Sequence, residues 1–240
     1  MMASPVASHS VQVPLSINQY MYKVKIFSIA KVTHNVRRFR YEKPDGFHFN
    51  PGQATEVSIN KPGWEEERRP FTFTCLNDDP FLEFTIKIYS DHDGVTNELG
   101  KLIVGDELII RDVWGAIEYK GPGYFIAGGA GVTPFIAILR QLYKDSKLED
   151  NILFFSNKTS KDIILEDEFN KMLGKNAVYT LTGESSPNYL HDYINEEFLK
   201  KHVKDFSKHF YVCGPDAMVQ DISNTLLKLG VVPDAVVFEK

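Results

Sequence analysis

Cysteine is nearly absent from these 240 residues: there are two, Cys75 and Cys213, in no CxxC pattern or cluster. That excludes a disulfide scaffold, a cysteine-held structural zinc and a cysteine-ligated iron–sulfur cluster, and no other metal motif stands out. An excess of basic residues is missing too. Lysine and arginine number 27 against 32 aspartates and glutamates, a formal net charge of -5. Such a surface argues against nucleic acid as the main partner, because phosphate binding needs a basic face. No apolar run approaches the roughly 18 residues of a membrane span. The first 19 residues lack the basic stretch and apolar core of a secretion signal. They read as a tail or an added edge strand. The expectation is a cytoplasmic protein with neither membrane nor nucleic acid as partner.

What is present is an ordinary globular composition, 43% hydrophobic and 25% charged, whose rhythm changes once along the chain. From about residue 20 to 120 apolar residues alternate over short spans, as in 22–27, 54–59, 82–88 and 107–111. Turn signals such as Asn50-Pro-Gly52 and Lys61-Pro-Gly63 separate the spans. Short alternating strands at this spacing predict an antiparallel β-barrel or sandwich, with a short helix over 95–101. After Gly121-Pro-Gly123 strands and helices alternate. Strands are expected at 124–127, 151–156, 178–182, 210–213 and 235–238. Helices are expected at 134–143, 165–173, 190–202 and 216–229. That order predicts an α/β unit with a parallel sheet covered on both faces. The division is therefore a 1–19 tail or edge segment, a 20–120 barrel and a 121–240 α/β domain.

Four segments have the composition of ligand sites. Gly128-Gly-Ala-Gly-Val-Thr-Pro134 follows a buried strand and opens a helix. Glycines let a bound group approach the backbone, and free amides at a helix start favour a pyrophosphate. The third glycine of GxGxxG is missing, so a plain tight turn explains the segment equally well. In Arg69-Pro-Phe-Thr-Phe-Thr74 an arginine able to grip phosphate precedes aromatic rings able to stack on a flat heterocycle. An amphipathic strand with a surface arginine is the simpler account. Gly94-Val-Thr96 opens the short helix, where Thr96 serves either as a cap or as a phosphate donor. Val212-Cys-Gly-Pro-Asp216 ends a strand on the edge where open parallel sheets bind ligands. Buried cysteine is also common without function.

Taken in order, Arg-Pro-aromatic-Thr, Gly-Val-Thr, Gly-Gly-x-Gly-Val-Thr-Pro and Cys-Gly-Pro resemble the ferredoxin–NADP reductase superfamily. Within it the likeness is to NADH–cytochrome b5 reductases and bacterial flavodoxin or ferredoxin reductases, over residues 20 to 240. The resemblance implies a barrel holding FAD and a domain receiving NADH or NADPH. It places Arg69 on the flavin phosphate, with Pro70 beside it, Phe71 on the isoalloxazine and Thr72 near its reactive nitrogen. Ile86 and Lys87 border the flavin, and Gly94, Val95 and Thr96 hold its diphosphate. Gly129, Ala130, Gly131 and Thr133 take the dinucleotide. Cys213, Gly214 and Pro215 lie by the nicotinamide, which makes Thr72 and Cys213 the candidate catalytic residues. Phe238 is the candidate cover of the flavin. The family usually has Tyr where Phe71 stands and ends on an aromatic residue, whereas this chain ends Phe238-Glu-Lys240. Asp162 matches an acidic position that disfavours a 2′-phosphate, which implies NADH over NADPH.

The implied activity is hydride transfer from NAD(P)H to FAD and electron delivery to a carrier protein. An acidic carrier would suit Arg37, Arg38 and Arg40 as a basic docking rim, although a solvated strand face is the simpler account. The alternative is a non-catalytic flavoprotein subunit that never meets NAD(P)H.

Overall fold

A computed structural model describes residues 20–115, 117–148 and 150–238. The expected tail or edge segment, 1–19, lies outside the described residues. Alternation builds the first unit. Its strands are β1 (Tyr22–Lys31), β2 (Val36–Glu42), β3 (Gln53–Ile59), β4 (Arg69–Thr72), β5 (Phe81–Lys87) and β6 (Glu107–Gly115). They form one curled antiparallel sheet in the order β4-β3-β6-β1-β2-β5. Its ends draw together where the Thr74 amide, just past β4, donates to the Glu83 carbonyl on β5 (2.9 Å). Every second residue faces inward. Val24, Ile26, Phe39, Tyr41, Val57, Ile59, Leu82, Phe84 and Ile86 share one core with Phe73, which stacks on Phe49 at 4.4 Å. Burying each such side chain contributes about 1.5–3 kcal/mol. The short helix α1 (Val95–Leu99) lies between β5 and β6 and sends Val95 and Leu99 into the same core.

The second unit alternates β7 (Gly123–Gly128), α2 (Thr133–Lys144), β8 (Ile152–Asn157), α3 (Glu166–Leu173), β9 (Ala177–Leu181), α4 (Glu196–His202), β10 (His209–Cys213), α5 (Asp216–Lys228) and β11 (Val236–Phe238). Its five strands are parallel in the order β11-β10-β7-β8-β9. Phe135, Ile138 and Leu139 of α2 and Phe169 and Leu173 of α3 pack on one face. Phe198 and Leu199 of α4 and Ile222 and Leu226 of α5 pack on the other. All of β7 is buried between the two.

One expected helix is shorter than the periodicity of its apolar residues suggests. Of 190–202 only Glu196–His202 is helical. Leu190 is drawn into the sheet instead: the Leu181 amide donates to its carbonyl, and its amide donates to the Tyr179 carbonyl. Asn195 then starts the helix by accepting from the Phe198 amide (2.9 Å). The α2 helix opens at Thr133 rather than Pro134, after a 3-10 turn over Gly129–Val132.

A buried ion cluster joins the units. From α2, Arg140 donates to Glu83 Oε1 on β5 (2.8 Å), to the Thr74 carbonyl (2.5 Å) and, with two nitrogens, to both Glu168 oxygens (2.5 and 2.9 Å). Arg40 donates to the other Glu83 oxygen (2.9 Å), and Arg38 stands 3.7 Å from it. Burial alone would raise the Glu83 pKa. The Arg140 charge and the hydrogen bonds from Arg140 and Arg40 outweigh it and hold the carboxyl below its ordinary value. Two of the three arginines of the candidate rim, Arg38 and Arg40, thus face Glu83.

Candidate functional site

A cavity of about 960 Å³ opens at the carboxyl ends of the parallel strands, the edge where open α/β sheets take ligands. Gly128, the last residue of β7, and Gly129 to Gly131 after it line the cavity, with Gly214 and Pro215 after β10, and Asn35, Lys87 and Tyr89 close it from the first unit. The sequence makes the glycine turn in two ways. Gly129 has φ +52°, and a Cβ there would meet nothing within 4 Å, so it supplies a left-handed bend with open space beside it. Gly131 does the opposite. A Cβ there would stand 2.4 Å from the Cys213 carbonyl oxygen, so the turn lies directly on the end of β10. The structure thus brings together the Gly-rich turn and the Cys-Gly-Pro segment. Thr133 donates to the Ala130 carbonyl (3.0 Å) and pins the turn. Cys213 is buried, while Gly214 and Pro215 reach the cavity wall.

Ser156, Asn157, Lys158 and Asp162 line the next stretch of wall, after β8. The Asp162 carboxylate is already engaged. Its Oδ2 accepts from the Thr159 amide (3.0 Å) and hydroxyl (2.7 Å), and its Oδ1 lies 3.7 Å from His34 Nε2. Beside it Glu184 accepts from the Ser160 amide (2.8 Å) and hydroxyl (3.1 Å). Two carboxylates therefore already take the amides that open this turn.

The residues expected around a flavin lie mostly outside this cavity. Lys87 is the one that lines it, with its Nζ 5.6 Å from the Tyr89 ring centre. Arg69 and Pro70 are exposed on β4, Phe71 is half-buried with its ring 6.2 Å from Phe84, and Thr72 is buried. Among the described residues Arg69 forms no ion pair and donates only to the Arg68 carbonyl (2.6 Å), whereas Arg68 is paired with Glu56 and Glu66. Two expected contacts need correction. Ile86 and Val95 point into the barrel core, so only their backbone groups are available to a ligand. Phe238 is partly exposed on β11, in register with Val212 next to Cys213.

Sequence reasoning missed Asn35, Tyr89, Asn157, Thr182, Tyr193 and the face of α5 that carries Met218, Asp221 and Thr225. Two signals were legible. Thr182 follows a parallel strand at its carboxyl end, and 218, 221 and 225 are spaced to share one helix face. Asn35 and Tyr89 carried none, because they arrive from the other unit.

The residues fit the groups the resemblance implies. Among the described residues Arg69 is an exposed guanidinium without a carboxylate partner, and a Cβ at Gly94 would meet nothing within 4 Å. Both suit phosphate at the barrel, while the open face of Gly129 suits the backbone approach of a second dinucleotide.

Comparison with known proteins agrees. Residues 23–119 match the model of the oxidoreductase FAD-binding domain, and residues 125–224 that of the oxidoreductase NAD-binding domain. The chain is 26% identical to human NADH-cytochrome b5 reductase 2 over 90% of its own length and 93% of that protein's. Its fold superposes on the flavohem-like FAD/NAD binding domain of nitric oxide dioxygenase from Vibrio cholerae with a TM-score of 0.80. That match has 21% identity and covers 90% of this chain and 97% of the other. A ferredoxin NADP+ reductase from Neisseria gonorrhoeae, solved with FAD and NADP bound, gives 0.76 at 21% identity, over 88% and 92%.

Proposed function

We propose, for a chain that carries an oxidoreductase FAD-binding domain and an oxidoreductase NAD-binding domain, how its residues divide the work. The protein is a reductase that moves hydride from NAD(P)H to FAD and electrons onward to a carrier protein. The observation that carries our assignment is one cavity walled by both units, with Lys87 and Tyr89 on one side and Gly129, Gly131, Gly214 and Pro215 on the other. Bound FAD would supply hydride acceptance and release of electrons one at a time.

Everything else asked of the chain is positioning. Arg69 grips the flavin phosphate, with the backbone from Gly94 to Thr96 and the Thr96 hydroxyl as further donors. Phe71 offers a ring face for stacking without a phenolic hydroxyl. Thr72, fixed beside Ala54 of β3, stands at the reacting edge. Gly129, Ala130 and Gly131 receive the coenzyme diphosphate, and Thr133 keeps that turn in shape. Gly214 and Pro215 seat the nicotinamide, and Cys213 sets their height because its carbonyl lies against Gly131. Phe238 covers the flavin from the neighbouring strand.

NADH is the preferred coenzyme in this reading. Asp162 and Glu184 put two negative charges where a 2′-phosphate would sit, against Lys158 in the same stretch of wall. The carrier is an acidic electron-transfer protein docking on a smaller basic surface than the sequence suggested. Lys31 and Arg37 are cross-strand partners, and Lys87 pairs with Val36 in the adjacent row.

Mixing the protein with NADH or NADPH under anaerobic conditions tests the assignment. Bleaching of flavin absorbance is expected with NADH at lower concentration than with NADPH. No bleaching by either would assign the chain to non-catalytic flavoproteins.

A further inference from the structure

Thr74 lies two residues past the end of β4, is fully buried, and is bonded through every polar group it has. Its amide donates to the Glu83 carbonyl (2.9 Å), its hydroxyl donates to Glu83 Oε1 (3.0 Å), and its carbonyl accepts from Arg140 (2.5 Å). The hydroxyl also stands 3.2 Å from that of Thr85. β4 itself is a short strand at the edge of its sheet, laddered to β3. Thr74 is therefore what fixes its far end against β5, the strand that carries Lys87. The third party to this fixing comes from the other unit. One terminal nitrogen of Arg140 serves both the Thr74 carbonyl and Glu83 Oε1, and its remaining nitrogens take the two oxygens of Glu168 on α3. A planar fork held at both ends cannot turn, and a lysine offers no such fork. One turn on, Lys144 pairs with Asp78 at the surface (2.6 Å), so α2 meets this segment twice.

We propose that Arg140 is a positioning residue for hydride transfer, one that registers the flavin-stacking strand against the helix that carries the coenzyme turn. The inference rests on the assignment of FAD to the β4 face and of the coenzyme to the large cavity. The helix α2 opens directly from the glycine turn, which Thr133 pins through the Ala130 carbonyl. Arg140 lies about two turns further along, roughly 10 Å of helix axis. It stands outside the coenzyme cavity, in the wall of a smaller one of about 420 Å³ between α2, α3, β2 and β5. It therefore touches neither reactant and takes no part in the bond changes. Transfer needs the two rings at near-contact distance, and a misplacement of about 1 Å can cost roughly 100-fold in rate. A side chain bonded within one unit sets the height of one ring. Arg140 belongs to one unit and is bonded into both, so it sets the distance between the rings.

The test is Arg140→Lys, which leaves a positive charge beside Glu83 and Glu168 and removes the fork. Titration of the apoprotein with FAD, and of the flavin-loaded protein with NAD+, should give dissociation constants within about threefold of the parent's, because neither seat is altered by itself. In anaerobic rapid mixing with saturating NADH, the limiting rate of flavin reduction should fall about 10- to 100-fold. The change in flavin absorbance on adding NAD+, which reports contact between the rings, should shrink with it. Glu168→Gln, which frees one end of the fork, is read in the same way should the lysine variant not fold. A limiting rate and an absorbance change like the parent's overturn the proposal whatever the melting temperature does, and leave Arg140 a structural tie. A rate loss matched by weaker binding of FAD or NAD+ overturns it as well, since Arg140 then supports one seat and not the distance between two. A parent whose flavin is reduced by neither NADH nor NADPH overturns the assigned reaction, and the proposal with it.

Discussion

In the curled antiparallel unit, the charge we assign to a phosphate sits on a side chain. Among the described residues Arg69 is an exposed guanidinium without an acidic partner, one residue from an Arg68 already paired with two glutamates. In the parallel unit the corresponding groups belong to the backbone. Gly129 opens the turn with a positive φ, and Gly131 lies so close to β10 that a methyl group would overlap the Cys213 carbonyl. A charge on a side chain can be removed without moving the chain. A backbone cradle can be removed only by moving it. The two halves should therefore fail differently, and the ion cluster between them should fail differently again.

The largest effect is expected at the join. Arg140→Ala leaves Glu83, 1% exposed, and Glu168 without their shared partner. Breaking a buried pair in this way costs about 3–5 kcal/mol, read as a lower urea midpoint. The folded pKa of Glu83 is depressed, so its contribution is present above the ordinary value of 4.5 and lost as pH falls through the folded value. The gap between parent and variant should narrow on acidification. A loss below about 1 kcal/mol at neutral pH would mean that apolar contacts hold the units together.

Arg69→Ala comes next, and it should separate binding from folding. Losing a charge-assisted phosphate contact costs about 2–3 kcal/mol, roughly 30- to 150-fold in flavin affinity, with the apoprotein melting as before. Flavin retained through dilution as well as in the parent would remove Arg69 from the site.

Gly131→Ala should couple what Arg69→Ala separates. The added methyl must push the turn off β10, at about 1–3 kcal/mol of stability, and NADH affinity should fall with it while flavin stays bound. Loss of stability with unchanged NADH binding would show that the turn packs the sheet and does not seat the coenzyme.

The smallest change is expected from Asp162→Thr. Because the carboxylate caps Thr159, the variant loses about 1 kcal/mol of capping energy, and the ratio of kcat/KM for NADH over NADPH should shrink severalfold. A parent that prefers NADPH by about tenfold, 1.4 kcal/mol, would show that Lys158 outweighs both carboxylates.

Local pattern alone determined much of this protein. The alternation of 22–27 or 82–88 can bury an apolar face only as a strand in a sheet with one buried side, and the strand–helix alternation after residue 121 only as a covered parallel sheet. The Gly-rich turn and Cys-Gly-Pro were legible for the same reason, because their conformational demands are carried by the residues themselves. Tertiary structure decided the rest. Periodicity could not foresee that Leu190 would join the sheet and shorten a helix, since the competing hydrogen bonds come from Tyr179 and Leu181. Charge counting could not foresee that Arg38 and Arg40 turn to a buried Glu83, because the burial of that glutamate depends on α2 arriving with Arg140. Nor could the pattern around Asn157 tell it from Asn151. Which of two buried amides is paired depends on what other segments bring to it, and distances of that kind exist only after the chain has folded.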